Sequence, residues 1–323
     1  MRHHGAEMQE GLLAQPVFTV GERTYRWQDV VAAGRRWSSW AAVEARTREG
    51  IACRLRAEET GDPLTPDEVG QAAAEFRYER HLLSADELEG WLARWGLSLP
   101  YWMEWVRRSL LRKRWAAQLS TITAAVGTDE VAEFVATEAV CSGALEQIAA
   151  KLAERAAVAD AMDEATDAGS MDDAFQRFCA SAASPQAIER EVHAQHVDWL
   201  RIECRWLAHE QEDVVREAAL CVREDGRDLA RVAADAGAHV AQDRIYLETA
   251  EPALRGHLLG ARRGDLLGPL ALAQEFRLIE VVDKLAPSAE DPEIRDRATR
   301  VLVRRAVQGE VVNRVRWHEH VQG

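Results

Sequence analysis

The chain has 323 residues, more than one ordinary hydrophobic core needs, so two domains are expected. At 47% hydrophobic and 29% charged residues, its composition is that of a globular protein and excludes wholesale disorder. A formal net charge of −14 argues against a nucleic-acid or acidic-membrane binder, and no apolar run approaches the roughly 20 residues of a membrane span.

Val17–Val20 and Arg23–Trp27 are β-prone runs flanking Gly21-Glu22, which predicts a hairpin. Asp29 can cap the next segment, whose apolar spacing predicts helix to Glu59. After the break Gly61-Asp62-Pro63, Thr65-Pro66-Asp67-Glu68 is a helix start, with a capping Thr, Pro at the first position and an acidic first turn. Ser84 with Glu87 is a capping box for a helix through Trp91 to Trp95, stopped by Gly96. A further helix starts at Leu97–Trp102 and runs through Val106 and Leu110 to Trp115. Residues 128–195 read as helical, punctuated by Gly143, Gly169 and Pro185.

The texture then changes. Trp199–Leu207 alternates and predicts a strand, followed by helix over Gln211–Glu224 and a short helix capped by Asp228. Asp243–Thr249 is a second strand, Pro252–Ala261 a short helix, Gly268-Pro269-Leu270 an edge-like strand and Phe276–Lys284 a fourth. Residues 292–308 predict a helix, and Val311–Val321 a terminal strand that could add to the N-terminal hairpin.

Charge and aromatics are unevenly placed. Residues 117–196 carry 4 basic and 14 acidic side chains, whereas residues 1–116 carry 17 of each. Eight of the eleven tryptophans lie between Trp27 and Trp115. The acidic stretch reads as a solvated helical face, or as one that attracts a basic client. The five cysteines, Cys53, Cys141, Cys179, Cys204 and Cys221, are odd in number with no CxxC pair. No disulfide framework or structural zinc is expected from them, and a reducing cytoplasm is the simplest setting. Met1–Glu7 leads into no apolar stretch, so no secretory signal is expected.

The order strand, long helix, short helix, strand, short helix, Gly-Pro strand, strand over 199–285 resembles the parvulin fold of peptidyl-prolyl isomerases. Asp225–Ala233, Gly260–Leu270 and Phe276–Val281 are similar to that family's helix pair, its turn and strand, and its last strand. Residues 17–115 resemble the N-terminal module of SurA-type chaperones, through the hairpin and the pattern Leu82–Leu88, Trp95-Gly96-Leu97, Tyr101-Trp102. The whole chain is most similar to SurA/PpiC-related proteins of the peptide maturation group, encoded beside ribosomally made, modified peptides; Ala139–Gly143 and Arg314–Trp317 belong to that pattern. The resemblance implies a mainly α fold with an α+β part. A SurA-like helical chaperone body (1–196) is followed by a parvulin-like α/β module with a small antiparallel sheet (197–286). A C-terminal helix and strand (287–323) return to the body.

Rotating an X-Pro bond means losing amide resonance, a barrier of about 20 kcal/mol. The resemblance implies a network of two histidines with an Asp or Cys for that task. Here the opening strand reads Glu203-Cys204-Arg205-Trp206-Leu207, without histidine, and Arg277 matches the second histidine. An arginine stays charged and cannot copy a neutral imidazole. The leading expectation is therefore a noncatalytic peptide-binding chaperone or escort that holds a precursor or other client peptide in the cytoplasm. Peptide-modifying enzymes are further candidate partners. An atypical isomerase using Cys204 and His239 is one alternative, and a structural docking subunit of a modification complex is another.

The expected peptide contacts are Trp206, Tyr246, Leu267, Phe276 and Arg277 in the module, and Trp95, Trp102 and Trp105 in the body. Each has a plainer reading. Cys204 can be a nucleophile or a small packed hydrophobe. Cys141-Ser142-Gly143 can be a reactive turn or a helix junction. His318-Glu319-His320 puts two histidines on one strand face, but third and fourth metal ligands are not evident. The tryptophans can be core or can line a crevice. No cofactor, metal, nucleic acid or membrane is expected, and the oligomeric state is left open.

Overall fold

The computed structural model describes residues 11–122, 126–163, 168–272 and 274–318. It is mainly helical with two small antiparallel sheets. The chain divides into two compact units: Met1–Phe178 with Val307–Gly323, and Cys179–Ala306.

The first unit opens with β1 (Pro16–Val20) and β2 (Arg23–Arg26), turned at Gly21, whose φ of +56° is costly for any residue with a Cβ. Two helices follow, α1 (Trp27–Arg36) and α2 (Ser39–Thr60), where apolar spacing predicts a single one. The interruption is Ser38, which sits in the left-handed region at φ +59°. Asp29 is not the N-cap itself. It lies in the first turn and accepts from Arg26 N at 2.8 Å.

Helices α3 (Pro66–Glu79) and α4 (Ala85–Arg94) start at the two capping boxes legible in the sequence. Glu68 N and Glu87 N donate to the Thr65 and Ser84 hydroxyls, and each glutamate accepts back from its cap's N–H. Then come α5 (Leu99–Arg114), a 3₁₀ segment (Ala116–Thr121), α6 (Thr128–Cys141) and α7 (Ala144–Ala161). One core gathers their apolar faces with β1. Strand β7 (Val315–Trp317) pairs antiparallel with β1, opposing Phe18 to Trp317 and Val20 to Val315. Of the strand expected over 311–321, residues 319–321 lie outside the described residues. Residues 311–314 stay helical, and Arg314 bonds Glu310 one turn back at 2.8 Å and Asp160 at 2.6 Å.

Helix α8 (Ala168–Ala182) and the later α13 (Pro292–Arg314) each contain a unit boundary. The second unit therefore starts earlier and ends later than 197–286, and takes in α9 (Pro185–Ala194). Its sheet has the order β4-β3-β6-β5, from β3 (Arg201–His209), β4 (Val240–Tyr246), β5 (Leu266–Leu272) and β6 (Glu275–Leu285). Helices α10 (Glu212–Arg223) and α11 (Leu229–Asp235) connect β3 to β4, and α12 (Pro252–Gly260) lies between β4 and β5. Asp228 caps α11, its carboxylate accepting from Ala230 N at 2.9 Å.

Candidate functional site

Side chains alternate across a strand, so the four-stranded sheet has two chemically distinct faces. One packs Leu207 and Leu278 under Val215, Ala218 and Ala219 of α10 and Leu229, Val232 and Ala233 of α11. The other packs Ile202, Cys204, Ile279 and Val281 against Leu254 and Leu258 of α12. On this second face Trp206, Leu267 and Leu270 are only half buried, and the Arg277 guanidinium lies 5.6 Å from the centre of the Trp206 ring. Trp206, Leu267, Leu270 and Arg277 are the candidate peptide surface.

The structure brings together three of the five expected module residues and separates two. Phe276 packs on the α10–α11 face. Adjacent residues of one strand cannot share a face, so Phe276 and Arg277 cannot line one groove. Tyr246 belongs to a third cluster with Trp199 and Ile294; its hydroxyl donates to Glu293 at 2.6 Å and its ring receives Arg297 at 4.7 Å. Leu270 joins this surface although its place in the Gly268-Pro269-Leu270 edge strand marks it as no peptide contact. Its register opposite Arg277 brings it in, beyond a bulge between Leu267 and Leu270.

Chemistry at the reacting positions is quiet. Cys204 is fully buried, and burial, with Asp243 opposite it, pushes the thiol up to about 11. Such a thiol is neither nucleophile nor base near neutrality. His239 precedes β4 four residues before Asp243, roughly 13 Å along an extended chain, so it is no partner for Cys204. Arg277 donates from Nε to Glu275 at 2.7 Å while stacking on Trp206. Arg205 is bound by Glu280 at 2.8 Å and Asp228 at 3.0 Å.

The two sheet edges differ. At β5, Arg223 donates to the Leu266 and Gly268 carbonyls, both at 3.0 Å, and Pro269 has no N–H to offer. Gly268 has φ +112°, and a Cβ there would stand 2.4 Å from the Arg277 carbonyl oxygen, so only glycine fits. At β4, residues 241–244 are exposed and pair on one side only, with β3. Ala241, paired with Trp206, contributes just a methyl group between that indole and the open edge. The charges Asp243 and Arg244 on this strand are the usual protection of an unpaired edge.

In the first unit the expected aromatic crevice is core. Trp95 and Trp102 are buried, Trp102 to 2% exposure. Trp95 lies 5.1 Å from Trp27, and Phe76 is ringed by Trp91, Trp102 and Trp105 at 5.2 to 5.7 Å. Trp105 is half buried against the same cluster. Large aromatics spaced to meet across short helices fill a core wherever helices converge. Cys141 is buried at the α6–α7 junction, where burial raises its thiol and Arg80 donates to its carbonyl at 3.0 Å. His318 shares a hydrogen bond of 2.9 Å with the Thr19 hydroxyl. Glu319 and His320 lie outside the described residues, and no described group of three or more His, Cys, Asp or Glu is placed to hold a metal ion. No helix among the described residues is long and apolar enough to cross a membrane.

No family model and no curated protein matches the chain. Among solved structures it is similar to the foldase protein PrsA from Lactococcus lactis, at 8% identity and a TM-score of 0.34, over 95% of this chain and 96% of that one. It is also similar to a chain of the structurally related SurA-like chaperones PEB4 and Cj1289 from Campylobacter jejuni, at 8% identity and a TM-score of 0.20, over 94% and 99%. The fold stands on its own elements and register.

Proposed function

We propose that the chain is a noncatalytic peptide-binding chaperone or escort, whose client lies along the Trp206–Leu267–Leu270 surface and the open β4 edge. The observation that carries this is the combination at one sheet face. The reacting positions hold a buried, protonated Cys204 and an ion-paired Arg277, while the apolar side chains beside them stay half exposed. Such a face can hold an extended segment through backbone pairing and side-chain burial without a proton-transfer network. The finer part of the proposal is the client class: a ribosomally made precursor held for modifying enzymes in the cytoplasm. Its support is the resemblance carried by Ala139–Gly143 and Arg314–Trp317.

Titration of an extended apolar peptide into the wild-type protein and into Trp206→Ala and Leu267→Ala tests the surface. Removing one buried contact of about 1.5–3 kcal/mol weakens affinity by roughly tenfold or more. Unchanged affinity in both folded variants contradicts the proposal.

A further inference from the structure

The first unit contains a cleft of about 760 Å³ between α2, α5 and α6, well away in sequence from the surface just described. Its volume falls within the range of small-ligand and side-chain pockets. One wall is apolar: Leu64, Pro100, Leu111 and the ring pair Tyr101–Phe134, whose centres are 5.7 Å apart. The other wall is charged, and the charge does not balance. Four carboxylates line the cleft, Glu58, Glu104, Glu130 and Glu133, against two guanidiniums, Arg54 and Arg107.

Both cations are already engaged. Arg54 reaches Glu58 at 2.8 Å, Glu130 at 2.8 Å and Glu104 at 3.4 Å, and Arg107 reaches Glu104 at 3.8 Å. Glu133 has the Tyr101 hydroxyl as its partner, at 3.1 Å, and no cation within salt-bridge distance among the described residues. Glu104 Oε1 is buried and takes no hydrogen bond, but it is ion-paired with Arg54 Nε at 3.4 Å and Arg108 Nε at 3.8 Å. Behind this wall lies Arg108, 1% exposed, its guanidinium 4.3 Å from the centre of the Phe134 ring and its three nitrogens without a hydrogen-bond partner. Its Nε lies 3.8 Å from Glu104 Oε1, so Arg108 is a third cation against the four carboxylates, and the cleft keeps an excess of one negative charge.

An aromatic pair beside a carboxylate with no cation in reach, Glu133, is the complement of a cationic side chain on an apolar stem. We propose that this cleft binds an arginine or lysine side chain of a peptide, with the charge at Glu133 and the stem on Tyr101 and Phe134. The inference takes a peptide as occupant but does not depend on the sheet of the second unit. An arginine tripeptide that fails to bind while the apolar peptide binds defeats the cleft alone, and the converse defeats the sheet surface alone.

The test is calorimetric titration of N-acetyl-Ala-Arg-Ala-amide into the full chain, beside its citrulline analogue, which keeps the shape and loses the charge. The arginine peptide binds about tenfold more tightly than the citrulline one, and added salt weakens it. Glu133→Gln, which still offers Tyr101 an acceptor, and Glu58→Gln, which takes one negative charge from the cleft, each weaken it about fivefold with no change in unfolding temperature. Equal affinity for the two peptides overturns the proposal, as does indifference to both substitutions. So does a mass that rises with protein concentration and falls in Glu133→Gln, which would assign the cleft to a second copy of the chain.

Discussion

Cys204 shows how position turns a reactive residue into packing. It sits on β3 between β6 and β4, on the face covered by α12, and is fully buried. Burial raises its pKa from 9.0 to about 11, so between those values the unfolded thiol ionises while the folded one keeps its proton. The unfolded state then binds fewer protons, and stability falls as pH rises from about 9 to about 11. Cys204→Ala removes about 2–3 kcal/mol of that alkaline loss, measured as denaturation midpoints across pH. Cys53 and Cys141 are raised in the same direction and keep part of the slope in the variant. The absence of histidine near Cys204 was legible in the sequence. That Phe276 and Arg277 face opposite ways follows from strand alternation alone, yet a motif resemblance treats them as one groove. Burial of Trp95 and Trp102 could not be read, because spacing says which residues share a helix face and not what covers it.

At the scale of elements, caps and turns were the most readable features. Thr65–Glu68 and Ser84–Glu87 satisfy orphan backbone donors within four residues, so local sequence suffices to place them. The break at Ser38 has no such marker, and the length of α13 depends on Arg314 meeting Asp160, more than 150 residues away in sequence. The attachment of α12 to the sheet is equally nonlocal. Lys284 on β6 donates to the carbonyls of Leu258, Leu259 and Ala261 at 3.1, 2.6 and 3.0 Å, closing the end of that helix with a cation. Lys284→Met keeps the stem and removes three charge-assisted bonds. We expect a loss of about 2–3 kcal/mol and faster amide exchange in α12 than in β3 or β6. Uniform exchange across the second unit would show that the helix is held by its apolar contacts alone.

For the whole molecule, the opening arithmetic of two domains and an acidic chain acquires a more specific form. The first unit takes residues from both ends of the chain, through the β1–β7 pairing and the contact of Phe18 with Trp317 at 5.3 Å. The second unit holds a sheet with one protected edge and one open edge, and a face where apolar surface and an inert cysteine lie together. The net charge says little about either surface. The proposed sheet site is largely apolar, whereas the cleft in the first unit owes its character to four carboxylates among thirteen lining residues. Binding without isomerisation is the central claim, and exchange NMR on an apolar Ala-Pro peptide reads both halves at once. At saturating protein the account predicts shifted peptide resonances, with cis–trans exchange still on the uncatalysed timescale of tens to hundreds of seconds. Accelerated exchange, or resonances that do not move, would contradict it.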